Sequence, residues 1–309
     1  MRFSLLLCFL LVGCAGRTLQ SEKLNNHSLK LQEQARVEGV SFVSQKKDHC
    51  GPATLTMAFN WAGVDITQEQ AANEVFTPGA EGSYRMDIVA ATRRNGLVSI
   101  EVNSMKELLR EISQGTPVIV FQNLGFDWYE LWHYSIVTGY DLDKKVLFLN
   151  SGKEQNKTLS FKQFERGWKR GGYWGIVTLP PDKLSATGTE REHIKSAGAL
   201  EKLGHLDAAK ISLMKVIEKW PESHWAWFSI ANLQLKQNEL DIARESYERA
   251  LKIEPNFSYG WHNYAILLKK LKEFHSAKLA ANKAVSLSSD SNKNSFKESL
   301  KNIREMASE

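Results

Sequence analysis

Two apolar patterns follow one another in the first half of the chain. Between residues 50 and 113, apolar residues recur at helical spacing, and start signals predict four helices, which begin near Cys50, Thr67, Met86 and Ser104. Short runs of β-branched and aromatic residues then predict strands of one antiparallel sheet, at 118–121, 134–137, 146–149 and 175–179. A short strand at 40–43 and a helix capped by Ser160 are also predicted. Helices followed by strands indicate an α+β domain over residues 36–181.

The second half repeats itself with a period of 34 residues. Alanines align one period apart in two sets, which are Ala197, Ala231 and Ala265, and Ala209, Ala243 and Ala277. Small residues at fixed positions let paired helices approach closely, which is the pattern of tetratricopeptide repeats. We predict an all-α solenoid of three repeats over 190–289, then a capping helix and C-terminus over 290–309. Its concave surface would bind a protein or peptide, unless the repeats serve only stability or self-association.

Polar segments separate these parts of the chain. Residues 15–35 lack strong periodicity and are predicted to form a tether, and Pro180-Pro181 followed by Ser, Thr and Gly predicts a linker over 182–189. Residues 1–14 contain an apolar run that is too short to span a bilayer but suits an export signal. The run ends in Leu11-Val12-Gly13-Cys14, which resembles the bacterial lipobox, whose cysteine is lipidated and becomes the mature N-terminus. An ordinary cleavable signal is the alternative.

A lipidated Cys14 would determine where the protein works. The resemblance implies several acyl chains on this cysteine, and two or more give stable membrane anchoring. The residue after Cys14 is Ala15 rather than Asp, which by the same resemblance favours the outer membrane if the cell is a Gram-negative bacterium. We therefore expect a cell-envelope protein that faces the periplasm.

Composition and charge exclude some partners. The 309 residues carry a net charge of +5 with both signs interspersed, whereas a nucleic-acid surface requires a clustered basic face. No Cys/His cluster has metal-ligand spacing, because the histidines of the second half are scattered among helical repeats. We expect no nucleic acid, no metal and no other cofactor.

Cysteine use favours a reactive thiol. Cys8 would leave with the signal and Cys14 would carry lipid, so Cys50 is the one remaining thiol of three cysteines. A solitary thiol in an oxidising compartment is exposed to oxidation, which favours a functional role over a buried, inert one. A helix N-terminus also favours thiolate over thiol.

A cysteine nucleophile needs a base, and the first domain offers two histidines, His49 and His133. Adjacent side chains generally point apart, so His49 is a poor partner for Cys50. His133 starts a predicted strand and could meet the helix N-terminus across a cleft. A structural or solvated His133 is the alternative.

Three blocks of the first domain resemble one family of enzymes. They are Gln45, Cys50-Gly51-Pro52-Ala53, and the strand from His133 to Asp141, and they look like the papain-like cysteine peptidases of the double-glycine leader-processing family. Over residues 36–181 this resemblance implies Cys50 as nucleophile, His133 as general base and then acid, and Gln45 as oxyanion donor. A neutral amide donor can stabilise an oxyanion without competing for the thiolate. Gln45 could also be an ordinary polar loop residue.

The third member of the site departs from the family pattern. The family has Asp followed by Pro where this chain has Asn150-Ser151, seventeen residues after His133. Asn150 could accept from the imidazole N–H and fix its tautomer, but it could not stabilise imidazolium with a full charge. Asp141 is a substitute candidate.

The sequence thus predicts a membrane-anchored cysteine peptidase that hydrolyses peptide bonds through a thioester at Cys50, with repeats that recruit a substrate or partner protein. Two alternatives stay open. One is a non-catalytic lipoprotein adaptor that scaffolds an envelope complex, and the other is an acyl or peptidyl transferase on the same fold.

Overall fold

A computed structural model describes residues 19–24 and 30–306, so the predicted signal, Cys14 and the start of the tether lie outside the described residues. The first domain contains one sheet whose pairings are all antiparallel. Its strands are β1 (Gln34–Arg36), β2 (Val98–Val102), β3 (Val118–Asn123), β4 (Trp132–Asp141), β5 (Val146–Ser151), β6 (Glu154–Ser160) and β7 (Gly175–Leu179). The spatial order is β2-β7-β3-β4-β5-β6, with β1 also beside β4.

Helices cover both faces of this sheet. One face carries α1 (Cys50–Trp61), α2 (Gln68–Val75) and α3 (Arg85–Arg94), and the other carries α4 (Met105–Ser113) and α5 (Phe161–Arg170). Capping boxes at Thr67 and Ser160 start α2 and α5, as their sequences predict. The strand predicted at 40–43 does not form, and Gln34–Arg36 pairs with β4 instead. The predicted α+β class is confirmed.

Alternation along β4 assigns its side chains to opposite faces. Tyr134 and Ile136 pack with α1 in one core, whereas Val137 packs with α4 and α5 in the other. A bulge between Val137 and Gly139 inserts one extra residue into β4 opposite β5. This register decides which residues of β5 can meet His133.

The second domain consists of three helix pairs. They are α6 (Glu190–Lys202) with α7 (Leu206–Lys219), α8 (His224–Lys236) with α9 (Leu240–Ile253), and α10 (Ser258–Lys270) with α11 (Phe274–Leu287). The same contact recurs one period apart, since Trp227 Nε1 donates to Pro221 O and Trp261 Nε1 donates to Pro255 O. A last helix, α12 (Asp290–Met306), buries Phe296, Leu300 and Ile303. The repeats and their cap therefore follow the predicted period.

The segment predicted as a linker is ordered and joins the two domains tightly. Its residues bind the buried carboxylate of Glu111 in α4, which accepts from Ala186 N at 3.2 Å, Thr187 N at 2.9 Å and Thr187 Oγ1 at 2.6 Å. Ser185 Oγ donates to the same carboxylate. Residues of α6 and α7 share one core with β2 and α4. The repeats are thus a continuation of the layer on this face of the sheet.

Part of the segment predicted as a tether also lies on the first domain. Gln20–Glu22 forms a short 3₁₀ turn whose Ser21 N donates to Glu165 of α5 at 2.8 Å. Leu24 and Leu31 pack against the core on the same face. Over the described residues, no helix is both long and apolar enough to cross a membrane.

Candidate active site

Cys50 is the first residue of α1, and this helix start is pressed between β4 and the loop before α3. A Cβ on Gly51 would collide with the Ser83 side chain, so only glycine allows this approach. Tyr134 fixes the same loop, because its hydroxyl donates to Ser83 O at 3.1 Å. The Cys50 thiol receives the backbone N–H of Tyr134, the residue that follows His133. The thiol and His133 are thus brought to the same end of β4.

Burial determines the resting state of the thiol. It raises the pKa of Cys50 above its ordinary value, and the backbone N–H groups of Tyr134, Gly51 and Cys50 only partly oppose this rise. The expectation that the helix start would favour thiolate is therefore wrong for the resting protein, because desolvation exceeds the effect of the helix N-terminus.

His133 is a neutral imidazole at neutral pH. Burial, helped by the charge of Lys157, lowers the pKa of His133 to about 4. Its Nε2 lies 2.9 Å from Ser151 Oγ on β5. A neutral imidazole can accept the proton of a thiol during attack, as a general base does.

A chain of polar side chains extends from His133 into the domain. Ser135 Oγ donates to Ser151 Oγ at 3.0 Å and also lies 3.4 Å from Gln122 Oε1. Gln122 Nε2 in turn donates to Phe164 O at 3.3 Å, which identifies its Oε1 as an acceptor. Ser151 Oγ, which receives the Ser135 hydroxyl, can also accept from His133 Nε2–H, and this tautomer carries the imidazole proton on Nε2. His133 Nδ1 is then free to accept a proton.

Gln45 and His133 meet at Gly152. The Gln45 backbone N–H donates to Gly152 O at 3.1 Å, and a Cβ added at Gly152 would lie 3.7 Å from Gln45 Oε1 and 4.0 Å from His133 Cε1. Gln45 Oε1 is buried and has no hydrogen-bond partner among the described residues. The Gln45 side chain is therefore held close to the imidazole.

The structure does not bring Asn150 to His133. Asn150 lies opposite Ile136, so its side chain is on the face of α1, and its Oδ1 accepts from Asn156 N at 3.0 Å. Ser151, the next residue, makes the contact that was predicted for Asn150. Asp141 lies eight residues along β4, roughly 25 Å from His133, where it accepts from Lys144 N in the turn.

A cleft of about 310 Å³ opens at Cys50. Its walls are the loop before α3 and the aromatic residues of β3 and β4, namely Phe121, Trp132 and Tyr134. A larger cleft of about 720 Å³ between the two domains contains none of the predicted site residues. No cluster of three or more His, Cys, Asp or Glu side chains that could hold a metal occurs in residues 19–24 and 30–306.

Ser151 offers a direct test of this arrangement. Ser151→Ala should lower kcat/KM about tenfold, because the imidazole loses the hydroxyl that contacts its Nε2. Ser151→Asp should move the acid limb of the pH profile above its position near pH 4, because a carboxylate favours imidazolium. Both profiles would be measured with one peptide substrate, with Asn150→Asp as the matched control. An acid limb that shifts in Asn150→Asp but not in Ser151→Asp would contradict the arrangement.

Fold and site together define an α+β domain with a cysteine at a helix N-terminus and a histidine at the start of a strand of the sheet, followed by paired helical repeats. Residues 37–176 match the model of the Peptidase_C39 like family. Residues 224–257 and 246–279 match two models of the tetratricopeptide repeat. The chain therefore carries a C39-like peptidase domain followed by tetratricopeptide repeats.

Solved structures resemble each part separately. A putative C39-like peptidase from Bacillus anthracis is 17% identical, with a TM-score of 0.42, 50% of this chain covered and 100% of that chain. The TPR2B-domain:pHsp70 complex of yeast Sti1 is 18% identical, with a TM-score of 0.36 and coverages of 38% and 95%. The Yersinia enterocolitica type III secretion translocator chaperone SycD is 13% identical, with a TM-score of 0.37 and coverages of 41% and 90%. No curated protein matches the chain.

Proposed function

We propose that this protein is a cysteine peptidase, anchored by lipid at Cys14 to a membrane of the cell envelope, that hydrolyses peptide bonds through a thioester. One observation carries the proposal. The Cys50 thiol lies against the Tyr134 N–H, and the preceding residue, His133, is a neutral imidazole whose Nε2 is held by Ser151.

The proposed reaction begins from the neutral pair. The Cys50 sulfur attacks the peptide carbonyl carbon while His133 Nδ1 takes the thiol proton, and the carbonyl π electrons move to oxygen. The Gln45 amide and the Cys50 backbone N–H would donate to this oxyanion. Collapse re-forms the carbonyl and breaks the C–N bond as imidazolium protonates the leaving amine. Water, deprotonated by the same imidazole, then hydrolyses the thioester and restores the thiol.

A peptidyl electrophile that reacts with thiols tests the pair directly. Labelling of the parent chain should be lost in Cys50→Ala and strongly reduced in His133→Ala, because neutral Cys50 needs its base to react at neutral pH. His49→Ala is the matched histidine control, since His49 packs its ring against Phe76. Equal labelling of the parent and His133→Ala would argue against a working pair.

The repeat domain would recruit a protein or peptide. Its aromatic cluster joins Trp225, Phe228, Phe257 and Tyr259, and the rings of Trp225 and Phe257 are 4.7 Å apart. Trp225 and Tyr259 are exposed. Exposed aromatic residues of this kind are enriched where a partner is bound.

A second candidate, a non-catalytic adaptor, is favoured by the absence of any carboxylate contact to His133 among the described residues. In this case partner capture should depend on the repeat cluster and be unchanged by Cys50→Ala. Capture measured with Trp225→Ala and Cys50→Ala, in parallel with peptide hydrolysis, separates the two candidates.

A further inference from the structure

The loop between β3 and β4 exposes an unusual amount of apolar surface. We call residues 124–132 the aromatic loop, and its exposed large residues are Leu124, Phe126, Trp128, Tyr129, Leu131 and Trp132. Trp128 at the tip is 82% exposed, Tyr129 65% and Phe126 61%. Contiguous exposed apolar surface is unfavourable in water and marks an interaction site.

The aromatic loop is held in its exposed conformation by its own hydrogen bonds. Asn123 Oδ1 accepts from Gly125 N and Leu131 N, each at 2.9 Å, and closes the base of the loop. Phe126 N donates to Tyr129 O at 2.8 Å across the tip, and the rings of Phe126 and Trp128 stack with centroids 5.5 Å apart. A hydrogen-bonded hairpin therefore holds these rings at the protein surface.

The N-terminal segment reaches the domain beside the same loop. Gln20 N and Ser21 N donate to Glu165 of α5. Five residues further along this helix, about 7.5 Å by helix rise, Arg170 Nη2 donates to Asn123 O at 3.0 Å. Glu165 thus holds the incoming chain, and Arg170 holds the base of the aromatic loop.

The chain between Cys14 and Leu19 is short. Five residues span at most about 18 Å when fully extended, so a lipid on Cys14 must lie within that distance of Leu19. A membrane that holds the lipid must therefore come close to the side of the domain that carries α5 and the aromatic loop.

We propose that the aromatic loop inserts into the surface of the bilayer in which Cys14 is anchored, an inference that rests on the lipid anchor in the proposed function. Trp and Tyr side chains prefer the membrane–water interface, and interfacial binding grows with buried apolar area. The loop also carries Asp127 and Glu130, so apolar burial, not attraction to anionic headgroups, would drive the contact.

Insertion would place the active-site cleft at the membrane surface. Trp132 belongs to the aromatic loop and also lines the cleft at Cys50. The substrates expected from this geometry are polypeptide segments that lie close to a bilayer. The competing hypothesis is that the aromatic loop binds an apolar segment of a soluble peptide.

The test uses the chain from residue 14 with Cys50→Ala, which leaves Cys14 as its only cysteine and removes no described residue. Coupling Cys14 to a maleimide lipid anchors this chain to phosphatidylcholine vesicles without natural acylation. Tryptophan emission is then measured in vesicles whose acyl chains are brominated near the headgroup. We expect quenching in the parent, loss of most of it in Trp128→Phe, and no change in Trp225→Phe, an equally conservative variant in the repeats.

Two results would overturn the proposal. One is an absence of quenching in the anchored parent chain, and the other is equal quenching in Trp128→Phe and the parent. Either result would exclude insertion and leave an apolar peptide segment as the competing ligand of the loop. Because the anchor is attached chemically and Cys50 is replaced, the result is independent of peptidase activity. Natural acylation is tested separately by the mass of the mature chain.

Discussion

Replacing His133 with alanine should lower kcat/KM for peptide hydrolysis by about 10²- to 10⁴-fold, the usual contribution of a positioned general base. The expected loss is large because the Cys50 thiol is buried and its pKa is raised, so little thiolate exists at neutral pH without the base. The measurement is steady-state hydrolysis of a peptide chosen by substrate profiling of the chain that lacks residues 1–14.

The pH dependence gives the same variant a second readout. The pKa of His133 is about 4, so the base is lost by protonation only below about pH 4, and the parent rate should stay high from there to the pKa of the thiol. In His133→Ala the acid limb should disappear, and the residual rate should rise with pH as thiolate forms. His49→Ala should keep the parent profile. A parent acid limb near pH 6.5 would contradict the buried, neutral imidazole.

Local signals in the sequence predicted most of the fold. The capping boxes at Thr67 and Ser160 locate two helices, and the period of 34 residues places all three helix pairs. These features depend on neighbouring residues or on a repeated spacing, which the chain displays directly. Strand β6 was missed because its residues, Glu154–Ser160, are mostly polar and lie at the edge of the sheet.

The candidate site was harder to predict because it depends on strand register. The sequence indicated Gln45, Cys50 and His133, whose roles stay predictions. The residue that contacts the imidazole is Ser151, whereas the sequence indicated Asn150. A bulge at Thr138 and the pairing of Ile136 with Asn150 place Asn150 on the opposite face from His133. Because side chains alternate between the two faces of a sheet, Ser151 could have been placed on the same face as Ser135. That inference requires the pairing of β4 with β5 to be known. The buried chain through Ser135 and Gln122 has no local sequence signal.

The union of the two domains could not be predicted, since part of it depends on a buried carboxylate that lies far along the chain from its partners. Glu111 precedes Ser185 by 74 residues, and nothing in the sequence around 182–189 indicates a fixed conformation. Ser185 and Thr187, which are among the residues that suggested a flexible linker, donate to Glu111.

Glu111→Ala should therefore lower the free energy of unfolding by about 3–5 kcal/mol, because four donors, among them the buried Ser185 hydroxyl, lose a shared buried acceptor. Glu111→Gln keeps one oxygen acceptor and should cost about 1–2 kcal/mol. Glu101→Ala, at an exposed position of β2, is the control and should change stability by less than about 0.5 kcal/mol. Urea unfolding measures all three variants.

The same experiment shows whether Glu111 couples the two domains. The parent should give coincident transitions by far-ultraviolet circular dichroism, which follows the helical repeats, and by tryptophan fluorescence, because both domains share one core. In Glu111→Ala the transitions should separate, since residues 185–187 no longer hold α6 against the sheet. Coincident transitions with an unchanged midpoint would mean that the apolar contacts of α6 and α7 with β2 and α4 join the domains without help from this carboxylate.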